Sequence, residues 1–231
     1  MAGISQPIGC TLPAYNAEAF VEEAIDSILG QTRPPSELVL VDDGSTDRTV
    51  ERARRAGGRL LRVVSQPNSG IAAARNRGIA ELTSPLIALS DADDISLPER
   101  FAALAEALSG DPEAGGAYCH WRNEAIGDLA DAEMPDRLHL GRPQTTLLTG
   151  TMLFRRSGLD AIGPFDTSFR AYAETAWHIR AKDVGQRFVE VPSVLYIRRI
   201  HASNNSRGKT VEAAPLIEFL HARFKRQHPS G

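Results

Sequence analysis

The sequence predicts an α/β fold built on an open, mostly parallel sheet with helices on both faces. Three observations predict it: short apolar runs alternate with helical periodicity, turn-forming residues lie at each junction, and the spacing suits repeated strand–helix–strand units. The chain has 231 residues, 42% of them apolar and 24% charged, which is enough to bury a sizeable core.

The first half contains four predicted strands, and a predicted helix follows each of them. The strands cover residues 8–12, 37–41, 60–64 and 86–90. The helices cover residues 17–29, a short stretch from Ser45 or Thr46 to about residue 56, and residues 71–82 and 98–108. Apolar residues spaced three to four apart indicate the first helix, and Pro98 suits the first turn of the last one.

The pattern is less regular beyond Gly115 and Gly116. Strands are predicted at residues 117–121 and 150–154, a helix at 171–183, and one or two strands across 188–199 with an interruption at Pro192. Residues 122–144 are polar and lack periodicity. The tail is amphipathic from 211 to 224, which leaves open packing on the domain or peripheral contact with a membrane or a partner.

Composition excludes several classes of protein. The 26 basic and 29 acidic residues give a net charge of −3, which argues against a nucleic-acid partner. Cys10 and Cys119 have no Cys-x-x-Cys spacing, so we expect free thiols in a reducing compartment. No apolar run is long enough for a transmembrane segment and no signal pattern opens the chain, so we expect a cytoplasmic protein.

Four polar loops follow the four predicted strands of the first half. They are Pro13–Asn16, Asp42–Ser45, Gln66–Gly70 and Asp91–Asp94. Turn formation alone explains any one of them. In an open parallel sheet, however, ligands bind beyond the carboxyl ends of the strands, so four such loops together indicate a ligand site.

Carboxylates are concentrated in two of these loops. Their mutual repulsion is unfavourable unless a cation or a hydrogen-bond donor compensates it. Oxygen ligands suit Mg²⁺ or Mn²⁺, and such ions commonly bridge carboxylates to phosphate oxygens, which favours a nucleoside diphosphate as ligand. The sequence lacks a Walker A motif and has no Gly-x-Gly-x-x-Gly after the first strand, which argues against P-loop NTPases and dinucleotide oxidoreductases.

The ordered series of motifs resembles the family 2 glycosyltransferases, inverting enzymes with the GT-A fold. The motifs are Pro13-Ala14-Tyr15-Asn16, Val41 to Asp47, Asn68-Ser69-Gly70, Ala74 to Gly78, and Asp91-Ala92-Asp93-Asp94. The resemblance is strong over residues 5–110 and weaker up to His201. It implies that a sugar passes from a nucleoside-diphosphate donor, a UDP-sugar by family precedent, to an unidentified hydroxyl acceptor, with inversion and with Mn²⁺ or Mg²⁺.

The resemblance also implies a division of labour along one domain, residues 1–231. Residues 5–115 would form the nucleotide-sugar-binding half, 116–210 the acceptor-side half and 211–231 a C-terminal amphipathic helix. The residues it assigns to the nucleotide are Pro13, Tyr15, Asn16, Asp42, Asp43, Arg75 and Asp91. Those it assigns to the metal are Asp93, within Asp91-x-Asp93, and His201.

The catalytic base is the point at which the chain departs from the family. Relatives usually carry a Glu-Asp pair at a helix start, and here the pair is Glu174-Thr175. A threonine hydroxyl cannot accept a proton at neutral pH, so Glu174 is the candidate general base. Glu174 could instead be a structural carboxylate paired with loop amides or with Arg180.

Two other functions remain open from the sequence. A degenerate nucleotide-binding module would explain Thr175, and a nucleotidyltransferase would also bind nucleotide and metal. Trp121 and Trp177 are candidates for a sugar platform, although large aromatic residues at such positions are typical of a core.

Overall fold

The computed structural model describes residues 6–127, 139–169 and 172–201, together with residues 204, 217, 220 and 223. It confirms the α/β class. Eight strands form one mixed sheet in the order β3-β2-β1-β4-β7-β6-β8-β5. The strands are β1 (Ile8–Ala14), β2 (Glu37–Asp42), β3 (Leu61–Ser65), β4 (Leu86–Leu89), β5 (Ile95–Ser96), β6 (Gly116–Ala125), β7 (Met152–Arg155) and β8 (Phe188–Ile200).

The first four strands pair in parallel, whereas β7 pairs antiparallel with both β4 and β6. Helices cover both faces of the sheet. They are α1 (Val21–Leu29), α2 (Thr49–Gly57), α3 (Ile71–Glu81), α4 (Arg100–Gly110), α5 (Arg156–Ile162) and α6 (Ala173–Asp183). One core lies under α1, α2 and α4, and a second lies under α3, α5 and α6. This two-layer burial explains why β1, β2 and β4 are apolar on both sides.

Several elements differ from the sequence prediction. Helix α2 begins at Thr49 because the Asp47 carboxylate accepts the Thr49 amide at 2.9 Å and the Glu18 amide at 3.1 Å, which ties the loop to the start of α1. Strand β6 continues to Ala125, four residues into the segment predicted to be irregular. Strand β5 and helix α5 were not predicted, since each is too short for a periodic signal.

Strand β8 is continuous across Pro192. The β6–β8 register shifts there, from Cys119 opposite Val191 to His120 opposite Val194, which is how a strand accommodates a proline without a ladder donor.

The predicted C-terminal helix lies mostly outside the described residues, and of it residues 217, 220 and 223 are helical. No helix in the described ranges is long and apolar enough to cross a membrane. Cys10 and Cys119 are free and buried, as expected.

Helix α3 is held close to β1 by the absence of a side chain at Gly78. A Cβ atom added there would lie 2.0 Å from Thr11 Oγ1 and 2.9 Å from Thr11 Cβ. Asn76 fixes the other side of the helix, because its amide donates to the Phe165 carbonyl and accepts the Phe165 amide, each at 2.8 Å. These contacts place Arg75, on the same turn, at a fixed depth beside the sheet.

We expect Gly78→Ala to destabilise the protein by about 1–3 kcal/mol, because overpacking outweighs the better helix propensity of alanine. Urea unfolding measures the effect. The matched control is Gly110→Ala at the end of α4, where an added Cβ meets no atom within 4 Å. Equal unfolding midpoints for the two variants would contradict the close approach at Thr11.

Candidate active site

The loops after β1 and β2 interlock at the carboxyl edge of the sheet. The Asn16 amide donates to Ser45 Oγ at 3.0 Å, and the Thr46 amide donates to Asn16 Oδ1 at 2.8 Å. Asn16 has a φ of +49°, a conformation that asparagine tolerates better than most residues. Tyr15 stays 46% exposed beside this junction, and Pro13 is the last residue but one of β1. The predicted nucleotide residues of the first loop therefore line an open, rigid edge.

Asp42 and Asp43 are compensated by loop donors. Asp42 Oδ1 accepts the Ser45 amide at 3.0 Å. Asp43 Oδ1 accepts Gln66 Nε2 and the Ser69 amide, and Asp43 Oδ2 accepts the Gly70 amide, each at 2.8 Å. The sequence allowed either a cation or hydrogen-bond donors to offset the carboxylate charges, and for Asp42 and Asp43 the structure shows donors. The described side-chain bonds of Asp91 and Asp93 are made with side chains from other parts of the chain.

Arg75 joins the second group of charged side chains, which contains Asp91 and Glu174. Its side chain is only 2% exposed, yet it forms ion pairs with Asp91 at 2.8 Å and with Glu174. The ring of Phe165 lies 5.8 Å from its guanidinium carbon. Arg75 therefore joins three separate parts of the chain: α3, the loop after β4 and the first turn of α6.

The pKa values of Asp91 and Glu174 shift in opposite directions. Burial raises the pKa of Asp91, and the neighbouring charges of Glu174 and Asp93 add to the rise against the attraction of Arg75. Burial also opposes ionisation of Glu174, but attraction and hydrogen bonding from Arg75 outweigh it and bring the pKa of Glu174 below its usual value. Glu174 is therefore ionised at neutral pH and can accept a proton.

Arg180, the alternative partner considered for Glu174, forms no hydrogen bond or ion pair with it in the described part of the chain. It instead donates to backbone carbonyls of residues 162–164. Thr175, at the position of the family aspartate, is exposed. The structure thus places Glu174, and not its neighbour, at the carboxylate cluster.

Asp93 meets His201 at the end of β8. His201 Nε2 lies 3.2 Å from Asp93 Oδ2, and Asn204 Nδ2 lies 3.2 Å from the same oxygen. The Phe20 ring stacks on the His201 ring at 4.0 Å between centroids, which fixes the imidazole plane. The two residues predicted to hold a metal are therefore adjacent.

Sequence reasoning missed the buried residues that hold the acidic loop, Asp91–Asp94, in place. Arg100 is fully buried and donates to Ser90 Oγ, Ser96 Oγ and the Leu89 carbonyl at 2.7–2.8 Å, with no ion pair among the described residues. Its guanidinium lies 4.9 Å from the Tyr196 ring, and the Tyr196 hydroxyl accepts the Asp91 amide at 3.2 Å. An arginine in the first turn of an amphipathic helix gives no sequence signal of such burial.

Asp94 is part of this support. It accepts the Arg199 amide at 2.9 Å, and burial, followed by the charges of Asp93 and Asp91, raises its pKa well above the usual value.

Trp121 and Trp177 are core residues, 8% and 1% exposed, and their indole groups donate to the carbonyls of Thr146 and Gly163. The interpretation of either as a sugar platform is therefore not supported.

The fold and the site define a class: an α/β protein with an acidic loop and a buried arginine at the carboxyl edge of its parallel strands. Solved structures share this fold. TarS from S. aureus in complex with UDP-GlcNAc superposes with a TM-score of 0.77 at 18% identity, covering 94% of this chain and 65% of that chain. The mannosyltransferase PcManGT from Pyrobaculum calidifontis, in complex with GDP-Man and Mn²⁺, gives 0.66 at 22%, covering 98% and 71%.

The chain belongs to glycosyl transferase family 2, whose family model matches residues 10–162. EpsJ of Bacillus subtilis, an uncharacterized glycosyltransferase, is 40% identical over 101 residues, which are 43% of this chain and 29% of EpsJ. YibD of Escherichia coli, also an uncharacterized glycosyltransferase, is 31% identical over 153 residues, 65% of this chain and 43% of YibD. The chain thus spans less than half the length of these relatives.

Proposed function

We propose that the protein transfers a sugar from a UDP-sugar to a hydroxyl acceptor, with inversion and with the help of Mn²⁺ or Mg²⁺. The observation that carries this proposal is the pairing of buried Arg75 with two carboxylates. One buried cation holds Asp91 of the Asp-x-Asp motif and Glu174 of α6 side by side. Leaving-group and acceptor chemistry require such proximity, because both act on one anomeric carbon.

The residues beside Asp93 fit a divalent ion. Asp93 offers carboxylate oxygen and His201 offers Nε2, a pair suited to Mn²⁺ or Mg²⁺ when phosphate and water complete the shell. Asn204 turns its Nδ2 donor toward both groups, so it orients them and is not itself a ligand. The described residues contain no group of three acidic, His or Cys side chains around one point, so the protein alone would not saturate the ion. Such an ion, when bound, stabilises the negative charge that develops on the departing diphosphate.

The hydrogen bonds of Asp43 support uridine as the donor base. Oδ1 already accepts two donors and Oδ2 accepts one, which leaves room for a single further donor at Oδ2. Uracil offers one such N–H on its pairing edge, whereas guanine offers two adjacent donor groups. Tyr15 and Asn16 would border the same base.

The reaction needs one proton transfer and one displacement. The acceptor oxygen attacks the anomeric carbon from the face opposite the diphosphate, and its proton passes to the Glu174 carboxylate. The bond between the anomeric carbon and the diphosphate oxygen breaks, and the oxygen keeps the electron pair. In this scheme Arg75 holds Glu174 ionised and Asp91 in place, while residues 5–115 bind the donor and 116–210 the acceptor. The free thiols of Cys10 and Cys119 support a cytoplasmic setting.

Titration with UDP in the presence of Mn²⁺ tests the proposal. We expect heat release and a thermal shift with UDP, and weaker effects with GDP. We expect Asp93→Asn to weaken Mn²⁺-dependent UDP binding by about 10-fold or more, because a neutral ligand holds a divalent ion poorly. Asp160→Asn, an exposed aspartate on α5, is the control.

Turnover separates the competing functions. A screen of nucleotide sugars should show Mn²⁺-dependent release of UDP from one of them. Binding without any turnover would instead support the degenerate module that Thr175 suggests. The absence of any UDP response would contradict every nucleotide-based function.

A further inference from the structure

Arg199, near the end of β8, contacts the loop that carries Asp93. Its side chain is only 4% exposed. Arg199 Nε donates to the Asp93 carbonyl, and the main-chain amide of Arg199 donates to Asp94 Oδ1 at 2.9 Å. Arg199 therefore binds the acidic loop on both sides of the peptide bond that follows Asp93, and fixes the backbone from which the Asp93 carboxylate extends.

The same guanidinium reaches Phe20, the residue before α1. Arg199 Nη2 donates to the Phe20 carbonyl at 3.1 Å, and the guanidinium carbon lies 5.2 Å from the centroid of the Phe20 ring. The Phe20 ring in turn stacks on the imidazole of His201, with 4.0 Å between centroids and 26° between planes. One side chain thus contacts the backbone of Asp93 directly and the ring of His201 through Phe20.

Arginine suits this place because the nitrogens of its planar guanidinium donate in different directions. Nε bonds to the Asp93 carbonyl, Nη2 to the Phe20 carbonyl and Nη1 to the carboxylate of Glu23. The Glu23 side chain is 72% exposed, so water screens that ion pair and it adds little. The bonds to the two carbonyls are therefore the contacts that connect Arg199 to the site.

We propose that Arg199 and Phe20 are positioning residues that hold Asp93 and His201 at the spacing a divalent ion needs. This inference rests on the proposed metal-dependent function. Asp93 Oδ2 and His201 Nε2 lie 3.2 Å apart. Two neighbouring ligands that are each about 2.1 Å from an octahedral ion lie about 3.0 Å apart, so one ion can bind both atoms with little movement. Contacts that orient metal ligands contribute about 10- to 100-fold to metal affinity.

The first test measures Mn²⁺ binding in the presence of UDP, from the loss of the EPR signal of free Mn²⁺. We expect Arg199→Met to weaken binding about 10-fold or more, because methionine donates to neither carbonyl. Phe20→Leu should weaken it as well, whereas Phe20→Tyr, which keeps the aromatic ring, should retain most of the affinity.

Two control variants separate positioning from general stability. Glu23→Gln changes only the exposed partner of Arg199, and Leu159→Ala leaves a cavity in the core under α5 and costs stability there. Both should bind Mn²⁺ nearly as the wild type does. Wild-type affinity in Arg199→Met or in Phe20→Leu, or an equal loss in either control, would overturn the inference.

Arg199→Lys decides the question if methionine at 199 prevents folding. Lysine keeps a positive charge beside Glu23 but replaces the planar fork with a single ammonium group, which does not reproduce the separate bonds of Nε and Nη2. We expect Mn²⁺ affinity to fall in this variant too. Affinity equal to that of the wild type would mean that charge alone is sufficient, and the positioning role of the guanidinium would be wrong.

The second test needs neither metal nor nucleotide. In the unliganded protein, the stacked Phe20 ring should shift the NMR signals of the His201 ring protons upfield. We expect this shift to be lost in Phe20→Leu, reduced in Arg199→Met and unchanged in Glu23→Gln. An unchanged His201 spectrum in Arg199→Met would overturn the inference. If the wild type binds no Mn²⁺ in the presence of UDP, the proposed metal-dependent function fails, whereas these shifts still decide whether Arg199 and Phe20 orient His201.

Discussion

Glu174→Gln is expected to reduce sugar transfer by about 10²- to 10⁴-fold, the usual contribution of a general base. Glutamine keeps the size of the side chain and an oxygen that can accept from Arg75, but it cannot take the acceptor proton. The loss should appear in kcat, with UDP and Mn²⁺ affinity close to those of the wild type. Steady-state transfer and nucleotide titration on the same preparations measure the two quantities.

Thr175→Asp provides the matched comparison. It restores the residue that the family usually carries, yet position 175 is exposed whereas Glu174 reaches the buried arginine. We expect Thr175→Asp alone to leave transfer near the wild-type rate, and the double variant with Glu174→Gln to stay inactive. Full transfer by Glu174→Gln, or rescue by the double variant, would move the base elsewhere.

The parallel half of the fold was predictable because its signals are local. Each buried strand is a short apolar run, and each flanking helix repeats its apolar residues at the helical period. The elements that escaped prediction depend on distant pairing. Strand β5 exists because Ile95 and Ser96 pair with β8, and β6 extends to Ala125 because β8 lies beside it. No local pattern contains that information.

The same distinction applies to the site. The motifs identified Asp91, Asp93 and Glu174, but they did not reveal that Asp43 is satisfied by the Ser69 and Gly70 amides, since this depends on the approach of residues 66–70. Arg100 and Tyr196 lie in ordinary sequence and become part of the site only through packing. Motifs therefore identify the groups that face a ligand, and tertiary contacts identify those that orient them.

Arg75→Met is expected to give the largest combined loss of stability and function. Arg75 is 1% exposed and is the cation shared by Asp91 and Glu174, so its removal leaves two carboxylates without their counter-ion. Breaking a buried pair in this way costs about 3–5 kcal/mol. Urea unfolding at neutral pH measures that loss, and transfer should fall with it. Arg77→Met, an exposed arginine on the same helix that pairs with Glu81, is the control and should cost little.

The pH dependence distinguishes loss of charge pairing from loss of packing. In the wild type the lowered pKa of Glu174 contributes stability above the usual glutamate value, and this contribution is lost as the pH falls through the folded-state pKa. Without Arg75, burial acts alone and raises that pKa. Its contribution then has the opposite sign: it is present at low pH and is lost as the pH rises. The stability deficit of Arg75→Met should therefore shrink when unfolding is repeated at about pH 5 instead of about pH 8, before general acid denaturation begins. A deficit of constant size across that interval would mean that Arg75 acts through packing, and that Asp91 and Glu174 do not depend on its charge.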